Sequence, residues 1–267
     1  MRINKNTDIL IVGSGIAGLS AALMLPNNLK VTLITKGYSK DCSTSWAQGG
    51  IATVLSETDS FKKHINDTIK NGVGLVDKDI ATSIINEGPS CINWLQSQGI
   101  LFTTKNNEID LTLEGAHSER RIAYIRDETG SIIHKVLSEK IKLKKNIEVL
   151  EENSLVDLIT ENNDLDNTNR CLGAYIFSTS TNDIFTVKAK RIILATGGAS
   201  KLYQFTSNPN TSTGDGIAAA WRAGCTVSNM EFIQFHPTCL YHPNIKSFLI
   251  SESLRGEGGI LYTPDNK

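Results

Sequence analysis

Three glycines near the amino terminus have the spacing of a dinucleotide-binding turn. Gly13, Gly15 and Gly18 follow the short apolar run 8–12 and open the segment 16–25, which is rich in alanine and leucine. In such a turn the first glycine permits the tight bend, the second lets the backbone approach a pyrophosphate, and the third allows close helix packing. Amide groups at the helix N-terminus bind the anion. The sequence therefore predicts a cofactor site that includes Gly13, Ser14, Gly15, Ile16, Ala17 and Gly18.

The residue after the second predicted strand leaves the type of dinucleotide open. That strand, at 30–35, is followed by Lys36, whereas dinucleotide folds usually carry an acid here for the ribose hydroxyls. A lysine could instead bind a phosphate, so an NADP-dependent reductase is an alternative at this point. The GxGxxG turn alone does not exclude it.

Two further segments favour FAD, because they resemble elements that surround the flavin in FAD-containing oxidoreductases. Glycine is useful there, since a flat ring and a backbone approach closely only where no Cβ intervenes. One segment is the strand 191–195, which runs into Thr196, Gly197 and Gly198. The other is the small-residue loop formed by Ser43, Thr44, Ser45, Trp46, Ala47, Gln48, Gly49 and Gly50. A third candidate is Asp215, at the start of the predicted helix 217–223, which could cap that helix or contact a ligand.

Composition and charge exclude several classes of function. The chain has 267 residues, of which 40% are hydrophobic, and its 27 basic and 28 acidic residues give a net charge of -1. This balance predicts a globular protein with no electrostatic basis for binding nucleic acid or an anionic membrane. The five cysteines form no CxxC pair, so no disulfide framework or metal site is predicted. With no apolar run of about 18 residues, we expect a cytoplasmic protein.

The order of predicted elements indicates an α/β fold with a Rossmann-like FAD-binding domain. Strand, turn, helix and strand follow one another over 8–35, as in a βαβ unit of a parallel sheet. Helices are predicted at 61–69, 80–86, 89–98 and 131–144, a polar excursion at 105–115, strand over 147–160, and a solvated hairpin tip at 162–169. A change of character near Ser228 predicts two domains, 1–227 for FAD and 228–267 as the beginning of a smaller α+β capping domain. The abrupt end at Lys267 predicts that this second domain is truncated.

Several strings resemble the flavoprotein family of succinate dehydrogenase, fumarate reductase and L-aspartate oxidase. They span the whole chain, at Ser45–Ala52, Leu113–Arg121, Ala195–Lys201, Ser207–Asn210, Gly214–Gly216, Glu231–Thr238 and Ser251–Gly258. The resemblance is strongest to the aspartate oxidase branch. It implies that Lys36, Asn153, Ser154 and Asp215 contact FAD together with the segments above.

The resemblance also implies a substrate site and the form of the flavin. Respiratory members attach the flavin to a histidine where this chain has Ser43, so noncovalent FAD is expected. Glu114 corresponds to a glutamate that helps select the amino acid over succinate, and a carboxylate near the substrate ammonium is physically reasonable. Glu252 and Arg255 correspond to a proton relay toward a catalytic arginine. The remaining implied substrate residues are Gln234, His236 and Ser251, together with Glu252.

The implied reaction is oxidation of L-aspartate to iminoaspartate, with reoxidation of the flavin by O2 or fumarate. The product would pass to quinolinate synthase for NAD biosynthesis. Two alternatives remain open, a soluble fumarate reductase and a catalytically incomplete FAD-binding fragment of a split or truncated gene.

Overall fold

The computed structural model describes residues 4–163, 168–236, 238–242, 245–250 and 253–265. Within these ranges the strands are β1 (Asn4–Val12), β2 (Val31–Ile34), β3 (Ile51–Ala52), β4 (Thr104–Lys105), β5 (Glu108–Ile109), β6 (Leu111–Thr112), β7 (Ile122–Ala123), β8 (Ile147–Leu150), β9 (Asn153–Asn163), β10 (Thr168–Ser178), β11 (Asp183–Leu194), β12 (Cys239–His242) and β13 (Ile245–Leu249).

In these ranges six helices lie within two residues of the predicted bounds, whereas the short helices Ser43–Trp46 and Ser253–Gly256 were not predicted, and the first of them lies in the segment predicted as a loop. The helices are α1 (Ile16–Met24), α2 (Ser43–Trp46), α3 (Phe61–Asn71), α4 (Lys78–Asn86), α5 (Gly88–Ser97), α6 (Thr129–Lys142), α7 (Asp215–Arg222) and α8 (Ser253–Gly256), with a short 3-10 helix at Ser200–Leu202. Side-chain caps explain where two of them begin. Ser60 accepts a hydrogen bond from the amide of Lys63 at the start of α3, and Asp77 caps α4.

Contacts divide the chain into two compact units. Unit 1 comprises Met1–Trp46 and His134–His236, and unit 2 comprises Ala47–Ile133 and Pro237–Lys267. The sequence prediction placed a single boundary between residues 227 and 228. The structure instead interrupts unit 1 with the long insertion 47–133, which a change of composition along the chain does not reveal. The assignment of 1–227 and 228–267 to separate functions stays a prediction.

Unit 1 is built on a six-stranded sheet with the order β8-β2-β1-β11-β10-β9. The strands β8, β2, β1 and β11 are parallel, with Val12 opposite both Ile34 and Leu194. Residues 10–12 of β1 and all four residues of β2 are buried, as expected for parallel strands inside a sheet, and Leu10 and Leu33 are fully buried. The Rossmann-like α/β prediction is therefore confirmed.

The other edge of this sheet is antiparallel. Strand β10 pairs with β9 and β11, and β11 extends from Asp183 rather than from the predicted residue 191. The predicted hairpin tip at 162–169 lies partly outside the described residues, and the flanking strands reach Asn163 and Thr168. Sequence analysis missed β10 because its pairing with β9 contains two register shifts, which disturb the alternation of side chains.

Unit 2 carries helices α3, α4 and α5, a small sheet with the order β3-β7-β6, and the hairpin β4-β5. The excursion predicted at 105–115 is therefore partly ordered as strands. Its two-residue strands form by pairing, β4 with β5 and β6 with β7. The polar local sequence gives no indication of these pairings. Among the described residues no helix is both long and apolar enough to cross a membrane.

Candidate functional site

The turn between β1 and α1 needs glycine at two positions because of packing. Gly13 has a φ of +114°, and a Cβ there would lie 2.1 Å from the carbonyl oxygen of Ala195. A Cβ on Gly18 would lie 1.9 Å from the carbonyl oxygen of Gly13. Both neighbours are backbone atoms, which cannot move aside as a flexible side chain can. The two glycines therefore allow α1 and the end of β11 to pack against the turn.

Gly15 serves a different purpose in the same turn. Its φ of -70° suits any residue, and a Cβ there would meet the Thr44 hydroxyl at 3.3 Å. As the N-cap of α1 it offers no side chain to the first-turn amides, of which the Ile16 amide donates to Thr44 Oγ1 at 3.0 Å. Amides at a helix N-terminus carry the positive end of the helix dipole. The turn is thus suited to bind an anion such as a pyrophosphate.

An open cleft lies where β1 and β2 end, at the edge of the sheet where ligands of α/β folds bind. The empty space in the cleft is about 750 Å³, a volume that includes the space open to solvent at its mouth. Many of the predicted cofactor residues share this cleft. They are Gly13, Ser14, Gly15, Lys36, Ser43, Thr44, Asn153, Thr196, Gly197 and Asp215.

Ser14 fixes the turn to the end of β2. Its buried hydroxyl donates to Thr35 Oγ1 at 2.9 Å and lies 3.2 Å from the carbonyl oxygen of Ser39. The side chain therefore holds the turn in place.

Lys36 forms an ion pair with Asp215, the first residue of α7. Lys36 Nζ and Thr213 both donate to the Asp215 carboxylate. Burial raises the pKa of Asp215, but these hydrogen bonds and the lysine charge outweigh it and hold the pKa below its ordinary value. The pair supplies the carboxylate that the end of β2 lacks, and its cancelled charge disfavours the phosphate of NADP.

The loop around α2 presents hydroxyl groups to the cleft. Ser43 donates to the Asn208 side chain at 2.8 Å and lies 3.2 Å from the hydroxyl of Ser212. Gly197 lines the cleft, and a Cβ on Gly197 or on its neighbour Gly198 would meet nothing within 4 Å, so the backbone there is open to a flat ligand. A turn suited to an anion, a carboxylate in the cleft wall and an open glycine backbone together fit FAD.

In unit 2, the Glu114 side chain lies against the loop Ala47–Gly50. A Cβ on Gly49 would lie 3.0 Å from Oε1 of Glu114, and a Cβ on Gly50 would lie 2.4 Å from the carbonyl oxygen of Ala123. Gln48 has a buried side-chain oxygen that accepts no hydrogen bond from the part of the chain that is described. A buried amide oxygen of this kind calls for a donor, which a bound ligand can supply.

Helix α3 holds the turn that carries Glu114. Asp67 accepts hydrogen bonds from the amide and hydroxyl of Ser118, at 2.9 and 2.8 Å. Asn71 donates to the carbonyl oxygen of Ala116 at 3.1 Å, and Ala116 has a φ of +71°. These bonds stabilise a backbone conformation that is unfavourable for alanine.

The segment that carries Arg255 packs against the same turn. A Cβ on Gly256 would lie 2.0 Å from the carbonyl oxygen of Leu113 and 3.3 Å from Cα of Glu114. The next residue, Glu257, accepts two hydrogen bonds from Arg120, each 2.7 Å long. Glu114 and Arg255 are thus carried by backbone segments in direct contact.

Sequence analysis missed a buried ion cluster below this turn. Arg121 is fully buried and donates twice to Asp59, at 2.8 Å each, and once to Asp67, at 2.6 Å. Its Nη1 also lies 3.2 Å from Nδ1 of His117. Planar guanidinium and carboxylate groups suit such bidentate pairing.

The cluster makes the stability of the fold depend on acidity. Burial raises the pKa of Asp67, but hydrogen bonds from Ser118 and Arg121 outweigh it and lower the pKa to about 2. Since the folded pKa lies below the ordinary value of 3.8, ionised Asp67 stabilises the fold above about pH 4, and this stabilisation is lost as the pH falls through about 2.

A comparison with protein families decides the cofactor. The sequence profile of the FAD binding domain family matches residues 8–267. The chain belongs to this FAD-binding family. The prediction of FAD as cofactor is confirmed, and this match favours FAD over the NADP alternative. FAD accepts a hydride when it takes part in a redox reaction.

Similar proteins carry a more specific name. The chain is 49% identical over 265 residues to an L-aspartate oxidase of Yersinia pestis, covering 97% of the chain and 50% of that relative. It is 47% identical over 268 residues to an L-aspartate oxidase of Pseudomonas aeruginosa, with the same coverage. The predicted resemblance to L-aspartate oxidase is thereby confirmed. The chain spans about half the length of these curated relatives.

Solved structures show the same fold. An Escherichia coli quinol fumarate reductase superposes with a TM-score of 0.91 and 28% identity, over 100% of this chain and 45% of that one. The apo Sdh1 complex of Mycobacterium smegmatis superposes with a TM-score of 0.86 and 32% identity, over 97% of this chain and 46% of that one. The similarity thus spans the aspartate oxidase, fumarate reductase and Sdh1 proteins, as the sequence motifs implied.

The other predicted site residues of this FAD-binding chain lie outside the cleft. Ile16 and Ala17 line a neighbouring hollow, and Gly18 is a buried residue of α1. Ser154 lies within β9, and Ser45 and Trp46 lie within α2. Gln234 and His236 belong to unit 1, whereas Ala47, Gln48, Gly49, Gly50, Glu114 and Arg255 belong to unit 2. Ser251 and Glu252 lie outside the described residues.

Proposed function

We propose that this chain forms the FAD-binding part of an enzyme that oxidises L-aspartate to iminoaspartate. The position of Glu114, against Gly49 in the loop Ala47–Gly50, carries the proposal. A carboxylate at a substrate site attracts the ammonium group of an amino dicarboxylate and repels a dicarboxylate that lacks one. The similarity to L-aspartate oxidases supports the same substrate.

The residues of the chain have distinct tasks in this proposal. The glycine turn binds the pyrophosphate of FAD, and Asp215 accepts a hydrogen bond from a ribose hydroxyl. Glu114 orients the substrate through its ammonium group. The remaining substrate and proton-relay roles fall to Gln234, His236, Ser251, Glu252 and Arg255.

The proposal extends to the partners of the enzyme. O2 or fumarate reoxidises the flavin. The similarity to a quinol fumarate reductase supports fumarate as an electron acceptor. Iminoaspartate then passes to quinolinate synthase in the cytoplasm. Supplying L-aspartate with either acceptor, and following peroxide or succinate, tests this part.

A Glu114→Gln variant tests the substrate. The variant is made in an enzyme in which this chain is joined to the segment of an L-aspartate oxidase relative that the chain does not cover. We expect it to bind L-aspartate more weakly by about 1–3 kcal/mol, because it loses a charge-assisted hydrogen bond. Binding of succinate should change little or improve. Titrations that follow the flavin absorbance measure both ligands.

Glu108→Gln is the matched control for this experiment. It removes one carboxylate from the same unit, on the exposed strand β5, and should leave the ratio of the two affinities unchanged. Equal losses for L-aspartate and succinate in Glu114→Gln would remove Glu114 from substrate selection and would leave the family assignment intact.

We also expect the flavin to be bound noncovalently. Ser43 offers a hydroxyl where respiratory relatives have the linking histidine, and this hydroxyl bonds to Asn208 and Ser212. Acid precipitation of the loaded protein should leave yellow flavin in the supernatant, while a relative with histidyl-linked flavin keeps it in the pellet. Flavin that stays with the precipitated chain would contradict this prediction.

A soluble fumarate reductase is the second candidate, favoured by the TM-score of 0.91 with a quinol fumarate reductase. Glu114 argues against this as the main activity, since a carboxylate near the substrate favours an amino dicarboxylate over fumarate, which has no ammonium group. Fumarate reduction faster than L-aspartate oxidation in the same preparation would favour this candidate.

A further inference from the structure

A buried histidine lies behind the glycine turn, and the proposed function does not use it. His134 belongs to α6 and is only 5% exposed. Its Nε2 lies 3.2 Å from the carbonyl oxygen of Ser14 and 3.5 Å from the hydroxyl of Ser39. His134 is not among the residues that line the cofactor cleft, whereas Ser14 and Gly15 are. The imidazole therefore contacts the backbone of the turn from the side away from the cleft wall.

The partner of Nε2 determines which ring nitrogen of His134 carries a hydrogen. A carbonyl oxygen can only accept a hydrogen bond, so Nε2 must be protonated to bond with Ser14. The hydroxyl of Ser39 can donate or accept, and it therefore imposes no other protonation state. Ser14 is itself buried, so its carbonyl oxygen has little access to water and the imidazole supplies a donor to it.

This hydrogen bond also bears on the direction of the next amide group. The carbonyl group of Ser14 and the N–H group of Gly15 belong to one peptide, which is planar and trans, so the two groups point in opposite directions. With the oxygen of Ser14 toward His134, the N–H group of Gly15 points away from α6. Within the described part of the chain this amide donates to no group, and Gly15 lines the cleft. The amide is therefore available to a ligand.

We propose that His134 is a positioning residue for FAD. By donating from Nε2 to the carbonyl oxygen of Ser14, it holds the peptide between Ser14 and Gly15 in the orientation in which the Gly15 amide donates to the pyrophosphate. The hydroxyl of Ser14, which bonds to Thr35 at 2.9 Å, fixes the side chain of Ser14 but does not by itself fix this peptide plane. His134 does not touch the cofactor. The inference rests on FAD binding and does not depend on the substrate.

Two substitutions of His134 test its effect on affinity. Methionine fills a similar space without a donor, whereas glutamine keeps an N–H group that can bond to the same carbonyl oxygen. We expect the dissociation constant of FAD, measured by flavin fluorescence, to rise at least about tenfold in His134→Met, because the turn loses the hydrogen bond that orients its amide. In His134→Gln the constant should stay within about threefold of that of the unaltered chain.

Leu137→Ala is the matched control for stability. Leu137 lies on the same helix and is fully buried, so its truncation lowers the free energy of unfolding, but its side chain forms no hydrogen bond. Urea unfolding of the FAD-free proteins identifies conditions in which each variant is folded, and FAD is titrated under those conditions. Leu137→Ala should bind FAD within about threefold of the unaltered chain.

Three results of these titrations would overturn the proposal. They are an unchanged dissociation constant in His134→Met, a loss of affinity in Leu137→Ala equal to that in His134→Met, and a loss in His134→Gln equal to that in His134→Met. The second would show that affinity follows stability alone, and the third that the donor on the side chain does not matter.

NMR of the unaltered chain tests the hydrogen bond without any substitution. The ¹⁵N shifts of the imidazole distinguish a protonated Nε2 from an unprotonated one, and we expect His134 to have a protonated Nε2 in the FAD-free chain. Added FAD should shift the amide proton of Gly15 downfield, as expected for a donor to a phosphate oxygen. An unprotonated Nε2 of His134, or a Gly15 amide that saturating FAD leaves unmoved, would also overturn the proposal.

Discussion

Gly13→Ala is expected to abolish FAD binding and to lower the free energy of unfolding by more than about 4 kcal/mol. The new Cβ would lie 2.1 Å from the carbonyl oxygen of Ala195 and 2.7 Å from its carbonyl carbon, at a φ of +114°. Both obstacles are backbone atoms at the junction of β1 and β11, the central strands of the sheet. Urea unfolding measures the stability, and flavin fluorescence measures the binding.

Gly15→Ala is the matched control, since it makes the same chemical change two residues away. Its φ of -70° suits alanine, and the added Cβ would meet the flexible Thr44 side chain at 3.3 Å. We therefore expect near-normal stability but weaker FAD binding, because the methyl group keeps the pyrophosphate from the amides of α1. If both variants lost the same stability, packing alone would explain the glycines, and the anion-binding role of Gly15 would fail.

The glycine turn could be predicted from the sequence because its determinants are local. The glycine turn directly follows an apolar strand and opens a helix, so three residue identities within six positions define its geometry. Asp215 was likewise placed correctly at a helix N-terminus. Its partner was not predicted, because Lys36 and Asp215 are far apart in the sequence and only the folded chain brings them together.

The division into units could not be predicted for the same reason. Residues 47–133 belong to a different unit from the residues on either side of them, and the pairings that order them, such as β3 with β7, join positions far apart in the sequence. A strand of two residues carries no periodic signal of its own. The composition of the chain changes more visibly near Ser228, so the prediction placed the boundary there.

Arg120 and Arg121 show most clearly what could not be predicted from the sequence, because these two adjacent arginines have opposite environments. The side chain of Arg120 is 55% exposed and pairs with Glu257, whereas that of Arg121 is 0% exposed and pairs with Asp59. Nothing in the sequence separates them. Burial changes how much each ion pair contributes to stability. Solvent screens the charges of an exposed pair, whereas a buried charge that loses its partner has no water to solvate it.

Asp59→Asn is therefore expected to lower the free energy of unfolding by about 3–5 kcal/mol, because it leaves the Arg121 guanidinium buried with one carboxylate fewer. Asparagine keeps the size of the side chain, so the loss reports the charge. Glu257→Gln is the matched control. It removes one carboxylate from a pair that is also bidentate, with two contacts of 2.7 Å, but that is exposed to solvent.

Urea unfolding at pH 7 compares the two variants directly. We expect a large fall in the midpoint for Asp59→Asn and a small one for Glu257→Gln. Because Asp67 also pairs with Arg121 and binds the turn after Glu114, Asp59→Asn should loosen that turn as well and expose it to proteolysis near Ser118. A fall in midpoint for Glu257→Gln equal to that of Asp59→Asn would show that bidentate geometry, rather than burial, sets the energy of these pairs. The cluster around Arg121 would then lose its special part in positioning Glu114.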